Sequence, residues 1–197
     1  MVRAPGLRHP DETLICCAMK EFHFQAEQWL PHPVEEVFAF FSEARNLETL
    51  TPPWLRFEVL TPAPIAMQAG TLIDYRIRVH GLPIRWRTEI VEWNPPHRFV
   101  DVQLRGPYML WHHTHIFGAH AGGTLCHDQV RYRPRGGALM NWLFVRRDVS
   151  NIFGYRSEKM IQMFRKNSVS TNHPIVESLA NRRKPVNTGS QLTENIM

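Results

Sequence analysis

Alternating apolar and polar residues dominate the chain from about residue 55 to residue 133. Alternation with a period of two is typical of strands that bury one face and expose the other. Proline and glycine positions interrupt these runs, among them Gly70, Gly81 and Pro95-Pro96, and such residues mark turns. The pattern predicts an antiparallel meander of six strands, at about 55–60, 71–80, 83–93, 97–105, 108–119 and 124–133.

A further strand and two short helices are predicted ahead of the meander. Alternation from Lys20 to Leu30 indicates the first strand. Pro33 then suits the first turn of a helix, because an N–H group would be unsatisfied there anyway. We expect one helix over 34–41 and a second over 42–50. The apolar stripe of the first helix consists of Val34, Val37, Phe38 and Phe41.

The longest helix is predicted near the end of the chain. After Gly137 the apolar period returns to 3.6 residues and persists to Phe164. The stripe that should pack against the sheet contains Trp142, Val145, Val149, Ile152, Phe153, Met160 and Met163. We therefore expect one domain over 20–164, an N-terminal extension over 1–19, and a basic, mostly disordered tail over 165–197.

Four stretches of the sequence resemble one superfamily of known fold. They are Leu30–Phe38, Gly106–Tyr108 with Trp111–Phe117, Asp128–Tyr132, and Phe153–Arg156. In this order of elements they resemble START-like (Bet v 1-like) proteins of the SRPBCC superfamily, and within it ligand-binding proteins described as polyketide cyclase/dehydrase-like or cell-division-inhibitor-like. The resemblance implies an α+β helix-grip fold, in which a curved seven-stranded antiparallel sheet wraps around the long C-terminal helix. It also implies a cavity between sheet and helix for a lipid, polyketide, quinone or similar molecule.

The side chains that should face such a cavity are mostly large and apolar, as in ligand pockets generally. Met109, Trp111 and Phe117 share one strand face with two histidines. We expect the ligand to contact Ile73, Tyr75, Ile77, Trp86, Trp111, His113, His115, Ile152 and Arg156.

Arg156 is the most informative of these residues because it falls inside the apolar stripe of the long helix. A buried guanidinium needs an anion, since its charge cannot be removed by a pKa shift. The anion could be Asp128, Asp74, Glu89, or a carboxylate, phosphate or enolate of a ligand. Alternatively, the side chain extends to the pocket rim or forms a structural pair with Asp128.

His113 and His115 allow several interpretations. They could be hydrogen-bonded core residues, could orient a ligand carbonyl, or could act as general acid and base. Two histidines at i and i+2 could also bind a metal ion, but no third ligand stands at a recognisable spacing. We therefore expect no metal ion and no cofactor.

Composition and motifs exclude several classes of function. Residues 21–164 hold fifteen basic and fourteen acidic side chains, so the formal net charge of +5 lies mainly in the tails, and we expect no nucleic-acid partner. No apolar run approaches the roughly 18 residues needed to cross a bilayer, and Thr13–Met19 makes a poor signal peptide. Three cysteines match neither a disulfide framework nor a zinc site. We expect a cytoplasmic protein.

Three functions remain open from the sequence. We favour binding or carriage of a hydrophobic small molecule, because no Gly-rich phosphate loop, nucleophile elbow or HExxH motif is present. The alternative is a cyclase or dehydratase acting on a polyketide-like substrate, with His113 or His115 as acid or base and Arg156 holding an enolate oxygen. A third possibility is a partner-binding domain that uses the basic tail. Whether the protein is an enzyme is uncertain on these grounds.

Overall fold

The computed structural model describes residues 20–170, with side chains up to Arg165. The strands are β1 (Phe22–Leu30), β2 (Glu58–Val59), β3 (Leu72–Val79), β4 (Leu82–Asn94), β5 (Arg98–Arg105), β6 (Tyr108–His120) and β7 (Gly123–Pro134). The helices are α1 (Val34–Phe41), α2 (Asn46–Leu50), α3 (Gly137–Met140) and α4 (Arg146–Ser170), with a 3₁₀ turn at Pro53–Leu55 and a π-helical turn at Asn141–Val145.

The seven strands form one curved antiparallel sheet in the order β1-β7-β6-β5-β4-β3-β2. Consecutive strands from β2 to β7 are neighbours, and β1 pairs with β7 after the two short helices. The π-helical turn and α4 together form the long C-terminal helix against this sheet. The α+β helix-grip fold expected from the resemblance is therefore confirmed.

Three element boundaries differ by three residues or more from the sequence-based prediction. β2 is only two residues long, because a 3₁₀ turn occupies Pro53–Leu55 and Arg56 takes a left-handed backbone conformation (φ 46°), neither of which is compatible with a strand. α2 begins at Asn46 rather than residue 42, and α4 continues to Ser170. The extension expected over 1–19 lies outside the described residues, as does the part of the tail beyond residue 170.

Trp142 was expected in the buried stripe of the long helix, and this prediction was wrong: the side chain is 75% exposed. The π-helical turn explains the error. A turn closed by i→i+5 hydrogen bonds rotates each residue by less than an α-helical turn does, so positions within it leave the 3.6-residue register. Asn141 points inward instead and accepts a hydrogen bond from the Tyr132 hydroxyl at 3.0 Å. Val149, Phe153 and Met160 are buried as predicted.

The apolar core lies on the concave face of the sheet and has a dense end beneath α1. Phe38 from α1 packs there against Phe99, Phe117 and Trp93 with ring centroids 5.1–6.1 Å apart. Leu30, at the end of β1, is fully buried in the same cluster. A second cluster brings α4 onto β7, and its buried members are Val130, Tyr132, Val149 and Phe153.

Truncation of Leu30 should therefore destabilise the domain. We expect Leu30→Ala to lower the free energy of unfolding by about 2–5 kcal/mol, because it leaves a cavity in a packed core. Leu82→Ala is the matched control, since Leu82 is 69% exposed, and it should change stability by less than about 0.5 kcal/mol. Urea denaturation followed by circular dichroism measures both values. Equal effects of the two substitutions would contradict this description of the core.

Candidate functional site

A cavity of about 940 Å³ lies between the concave face of the sheet and the long helix. All nine residues singled out from the sequence line it: Ile73, Tyr75, Ile77, Trp86, Trp111, His113, His115, Ile152 and Arg156. They come from β3, β4, β6 and α4, and only the pairing of the strands and the packing of the helix bring them together. Their contact with a ligand stays a prediction.

An aromatic wall is built where β3 and β4 run side by side. Tyr75 pairs with Trp86 across the two strands, and the two rings stack with centroids 5.8 Å apart. Thr88 accepts a hydrogen bond from Trp86 Nε1 at 3.0 Å, and its hydroxyl lies 2.8 Å from the Tyr75 hydroxyl. Burial raises the pKa of Tyr75 far above its ordinary value. The tyrosine therefore stays a neutral phenol. One threonine hydroxyl is the hydrogen-bond partner of both the tyrosine hydroxyl and the tryptophan N–H group.

Tyr108 lines the cavity in the position that the sequence assigned to Met109. The pairing of β6 with β7 shifts register between Tyr108 and Leu110, which leaves Met109 as an extra residue. Such a bulge moves one residue to the opposite face. Met109 is accordingly 56% exposed, whereas the Tyr108 ring packs 4.8 Å from Trp111. The expectation that Met109 shares the cavity face was wrong for this reason.

Two aspartates and two histidines form a compact cluster on three neighbouring strands, which we call the Asp–His cluster. Asp101 on β5 stands opposite His113 on β6, and Asp128 on β7 stands opposite His115 on β6. Asp101 Oδ2 lies 3.2 Å from His115 Nε2 and 3.5 Å from His113 Nδ1. Asp128 Oδ1 lies 3.0 Å from His113 Nε2 and 2.8 Å from His115 Nδ1, the second pair being out of line for a hydrogen bond.

The cluster has two layers relative to the cavity. Asp101, His113 and His115 line the cavity, whereas Asp128 does not. His113, His115 and Asp128 are 5–7% exposed, and the Asp101 side chain is 15% exposed. The two imidazole rings lie close together, with centroids 3.8 Å apart. Asp128 therefore supports the histidines from behind.

The charges of the cluster are strongly interdependent. Burial and the neighbouring His115 lower the pKa of His113. Burial also acts against the charged form of His115, but attraction to Asp128 and Asp101 outweighs it and raises that pKa. Burial opposes ionisation of Asp101 and Asp128 too, yet the histidines hold both carboxyl pKa values below their ordinary range. These interactions favour ionised carboxylates, and they favour a proton on His115 over a proton on His113.

Sequence reasoning missed Asp101 altogether. The available signal was the spacing on its strand. Phe99 and Asp101 are two residues apart on β5 and therefore share one face, which puts a carboxylate beside an aromatic core residue. Its partner could not be predicted without the register of β5 against β6. Thr88, Phe99 and Tyr108 also line the cavity and were not singled out.

Arg156 does not have the carboxylate partners that the sequence suggested. Asp74 pairs with Arg87, and Asp128 contacts the histidines. Within the described residues, no carboxylate lies within ion-pair distance of Arg156, and its buried Nε has no hydrogen-bond partner. Its guanidinium carbon lies 5.2 Å from the centroid of the Phe153 ring, and its charge helps to lower the pKa of Asp101. Over residues 20–165, the cavity wall thus contains a cation without a directly bonded anion.

A seven-stranded curved sheet that holds one long helix over an internal cavity defines the Bet v 1-like helix-grip class. Residues 30–152 match the family model described as polyketide cyclase / dehydrase and lipid transport, and the chain belongs to this family, within the SRPBCC superfamily. The comparison with curated proteins gives no match. Of the described helices, none is long and apolar enough to span a membrane.

Several solved structures share the fold at low sequence identity. Protein Ms6760 from Mycobacterium smegmatis aligns with a TM-score of 0.56 and 16% identity, covering 74% of this chain and 92% of that one. Ginseng major latex-like protein 151 from Panax ginseng aligns with a TM-score of 0.56 and 8% identity, over 73% and 97% of the two chains.

A third similar structure is the di-domain ARO/CYC StfQ of the steffimycin biosynthetic pathway. It aligns with a TM-score of 0.59 and 13% identity, over 76% of this chain and 52% of that chain. At these identities the three structures support the fold alone, and the family supports a ligand-binding fold.

Removal of Asp128 should destabilise the protein far more than removal of an exposed aspartate. Asp128→Ala leaves the two buried imidazoles with Asp101 as their one remaining carboxylate, and loss of one partner of a buried ion pair costs about 3–5 kcal/mol. Asp74→Ala is the control, because Asp74 and Arg87 form an exposed pair that should contribute little. Guanidinium denaturation measures both. A small effect of Asp128→Ala would show that the cluster is not a buried charge network.

Proposed function

We propose that this protein binds and carries a hydrophobic small molecule in the cavity between the sheet and the long helix. The observation that supports this function is the cavity itself: about 940 Å³, at the upper end of the range of about 300–1,000 Å³ for small-molecule sites. Its wall is mainly aromatic and aliphatic, with a few convergent polar groups, which is the usual composition of such sites.

The polar groups support a ligand that is apolar over most of its surface and carries oxygen at one end. Arg156 has an unpartnered, buried Nε among the described residues, and a guanidinium recognises a carboxylate, phosphate or enolate oxygen. His113 and His115 add groups that can bond a hydroxyl or carbonyl. A fatty acid, a hydroxylated quinone or a polyketide meets this description. We propose Ile73, Tyr75, Ile77, Trp86, Trp111 and Ile152 as contacts to its apolar part.

The alternative is a cyclase or dehydratase that acts on a polyketide-like substrate. The observation that favours it is the Asp–His cluster, because a histidine within hydrogen-bond distance of a carboxylate is oriented as a general base must be. The family description includes cyclases and dehydrases. Binding without turnover is the simpler proposal, since it requires only the cavity and its wall.

Calorimetric titration with a long-chain fatty acid, a naphthoquinone and an aromatic polyketide tests the proposal. We expect one of these classes to bind at one molecule per chain with a negative heat-capacity change, because apolar surface is buried. Ile77→Trp should weaken binding at least about tenfold, because the indole ring is larger than the isoleucine side chain and fills space that the ligand would occupy. Leu104→Trp is the control: Leu104 is 53% exposed and is not part of the cavity wall.

Mass spectrometry of the extracted ligand separates the two functions. Recovery of an unchanged ligand supports binding and carriage, whereas a product that has lost water or gained a ring supports the cyclase or dehydratase. Equal affinities for the wild type, Ile77→Trp and Leu104→Trp would place the ligand outside this cavity and contradict the proposal. Thermal unfolding of both variants checks that each is folded at the temperature of the titration.

A further inference from the structure

Three side chains on β5 and β6 bring metal-binding atoms together at the cavity wall. Asp101 Oδ2 lies 3.5 Å from His113 Nδ1 and 3.2 Å from His115 Nε2, and one ligand atom from each residue lies within 4.8 Å of the others. We propose that Asp101, His113 and His115 bind a divalent transition-metal ion. Metal binding here does not depend on which molecule fills the cavity.

The spacing of these atoms matches a metal coordination sphere. Zinc lies about 2.0–2.1 Å from imidazole nitrogen and carboxylate oxygen, which places two ligands of a tetrahedral site roughly 3.3 Å apart. The two separations from Asp101 Oδ2, 3.2 and 3.5 Å, lie on either side of this value, and the two histidine nitrogens lie within 4.8 Å of each other. An ion can therefore be accommodated by small side-chain adjustments.

The backbone holds the three groups in this arrangement. His113 and His115 are two residues apart on β6 and so point to the same face. Asp101 is the cross-strand partner of His113 on β5. The sequence predicted no metal ion because no third ligand stood at a recognisable spacing. The pairing of β5 with β6 supplies that third group from outside the histidine segment.

Asp128 provides the support that metal-binding histidines usually have. A ligating histidine almost always directs its second ring nitrogen at a carboxylate, a carbonyl or water. His113 Nε2 lies 3.0 Å from Asp128 Oδ1, on the side of the ring away from Asp101. Asp128 is behind the cavity wall and also lies 2.8 Å from His115 Nδ1. The cluster thus has an inner carboxylate for the ion and an outer carboxylate for the histidines.

The donor set indicates which ion should bind. Two imidazoles and one carboxylate suit Zn²⁺ or Fe²⁺, whereas Ca²⁺ and Mg²⁺ prefer oxygen ligands alone. Three protein ligands leave at least one coordination position open. Because all three residues line the cavity, that position faces the space where a hydroxyl, keto or carboxylate oxygen of a ligand would lie.

Cobalt titration of chelator-treated, tag-free protein tests this proposal. We expect one Co²⁺ per chain with Kd of about 10 µM or tighter, a visible absorption spectrum typical of low coordination number, and displacement by Zn²⁺. Asp101→Asn and His115→Gln should weaken binding at least roughly 100-fold, and Asp128→Asn about 10–100-fold, as loss of an outer carboxylate does. His127→Gln is the matched control: His127 lies on β7, pairs with Glu27 and does not line the cavity.

The outcomes are distinguishable even if a variant fails to fold. X-ray absorption of the wild-type cobalt protein should show two imidazole nitrogens at about 2.0–2.1 Å, a result that requires no variant. A cobalt spectrum without imidazole ligands, or a wild type that binds no cobalt at this concentration, would overturn the proposal. Unchanged affinity in folded Asp101→Asn would do the same, because the ion would then be bound by others of the eleven histidines.

Discussion

A curved sheet cannot fill its own concave face, and a single helix is too narrow to fill it alone. In this protein aromatic side chains fill part of that space. Phe38 from α1 packs among Phe99 and Phe117, and Phe153 from α4 packs against Phe24. The part bounded by β3, β4 and the long helix stays open. The cavity is therefore a consequence of the architecture, and its chemistry depends on which side chains the strands direct into it.

The ionisable groups of the Asp–His cluster stabilise one another through short contacts between opposite charges. Burying a charge is costly unless it is paired and hydrogen-bonded, and here each histidine lies between two carboxylates. The cross-strand pairs fix these groups at the wall where a ligand would reach them. Arg156 differs from them, because it faces the same space and no anion in the described part of the chain bonds to it directly. The proposed ligand with one oxygen-bearing end rests on the apolar wall, the polar cluster and this guanidinium.

The alternation of apolar and polar residues predicted the meander and the seven strand residues placed on the cavity wall, and the 3.6-residue period of the long helix predicted Ile152 and Arg156. Strand faces follow directly from a period of two, so Ile73, Tyr75 and Ile77 could be assigned to one face from their spacing alone. Local irregularities broke this reasoning at two places. A bulge in β6 places Tyr108 rather than Met109 on the cavity face. A π-helical turn places Trp142 in solvent. Each irregularity involves so few residues that the hydrophobic period of the surrounding sequence does not reveal it.

The sequence by itself determined most of the elements, their order and the face on which most side chains lie, because those properties depend on residues close together in the chain. Only the tertiary structure decided which side chains meet. Asp101, His113 and Asp128 lie on three different strands, and strand register alone makes them neighbours. The lack of a carboxylate beside Arg156 among the described residues is likewise a tertiary property, since Asp74 and Asp128 are engaged elsewhere. Register depends on turn geometry and on bulges such as those in β4 and β6 as well as on the hydrophobic pattern, so alternation within each strand could not fix it.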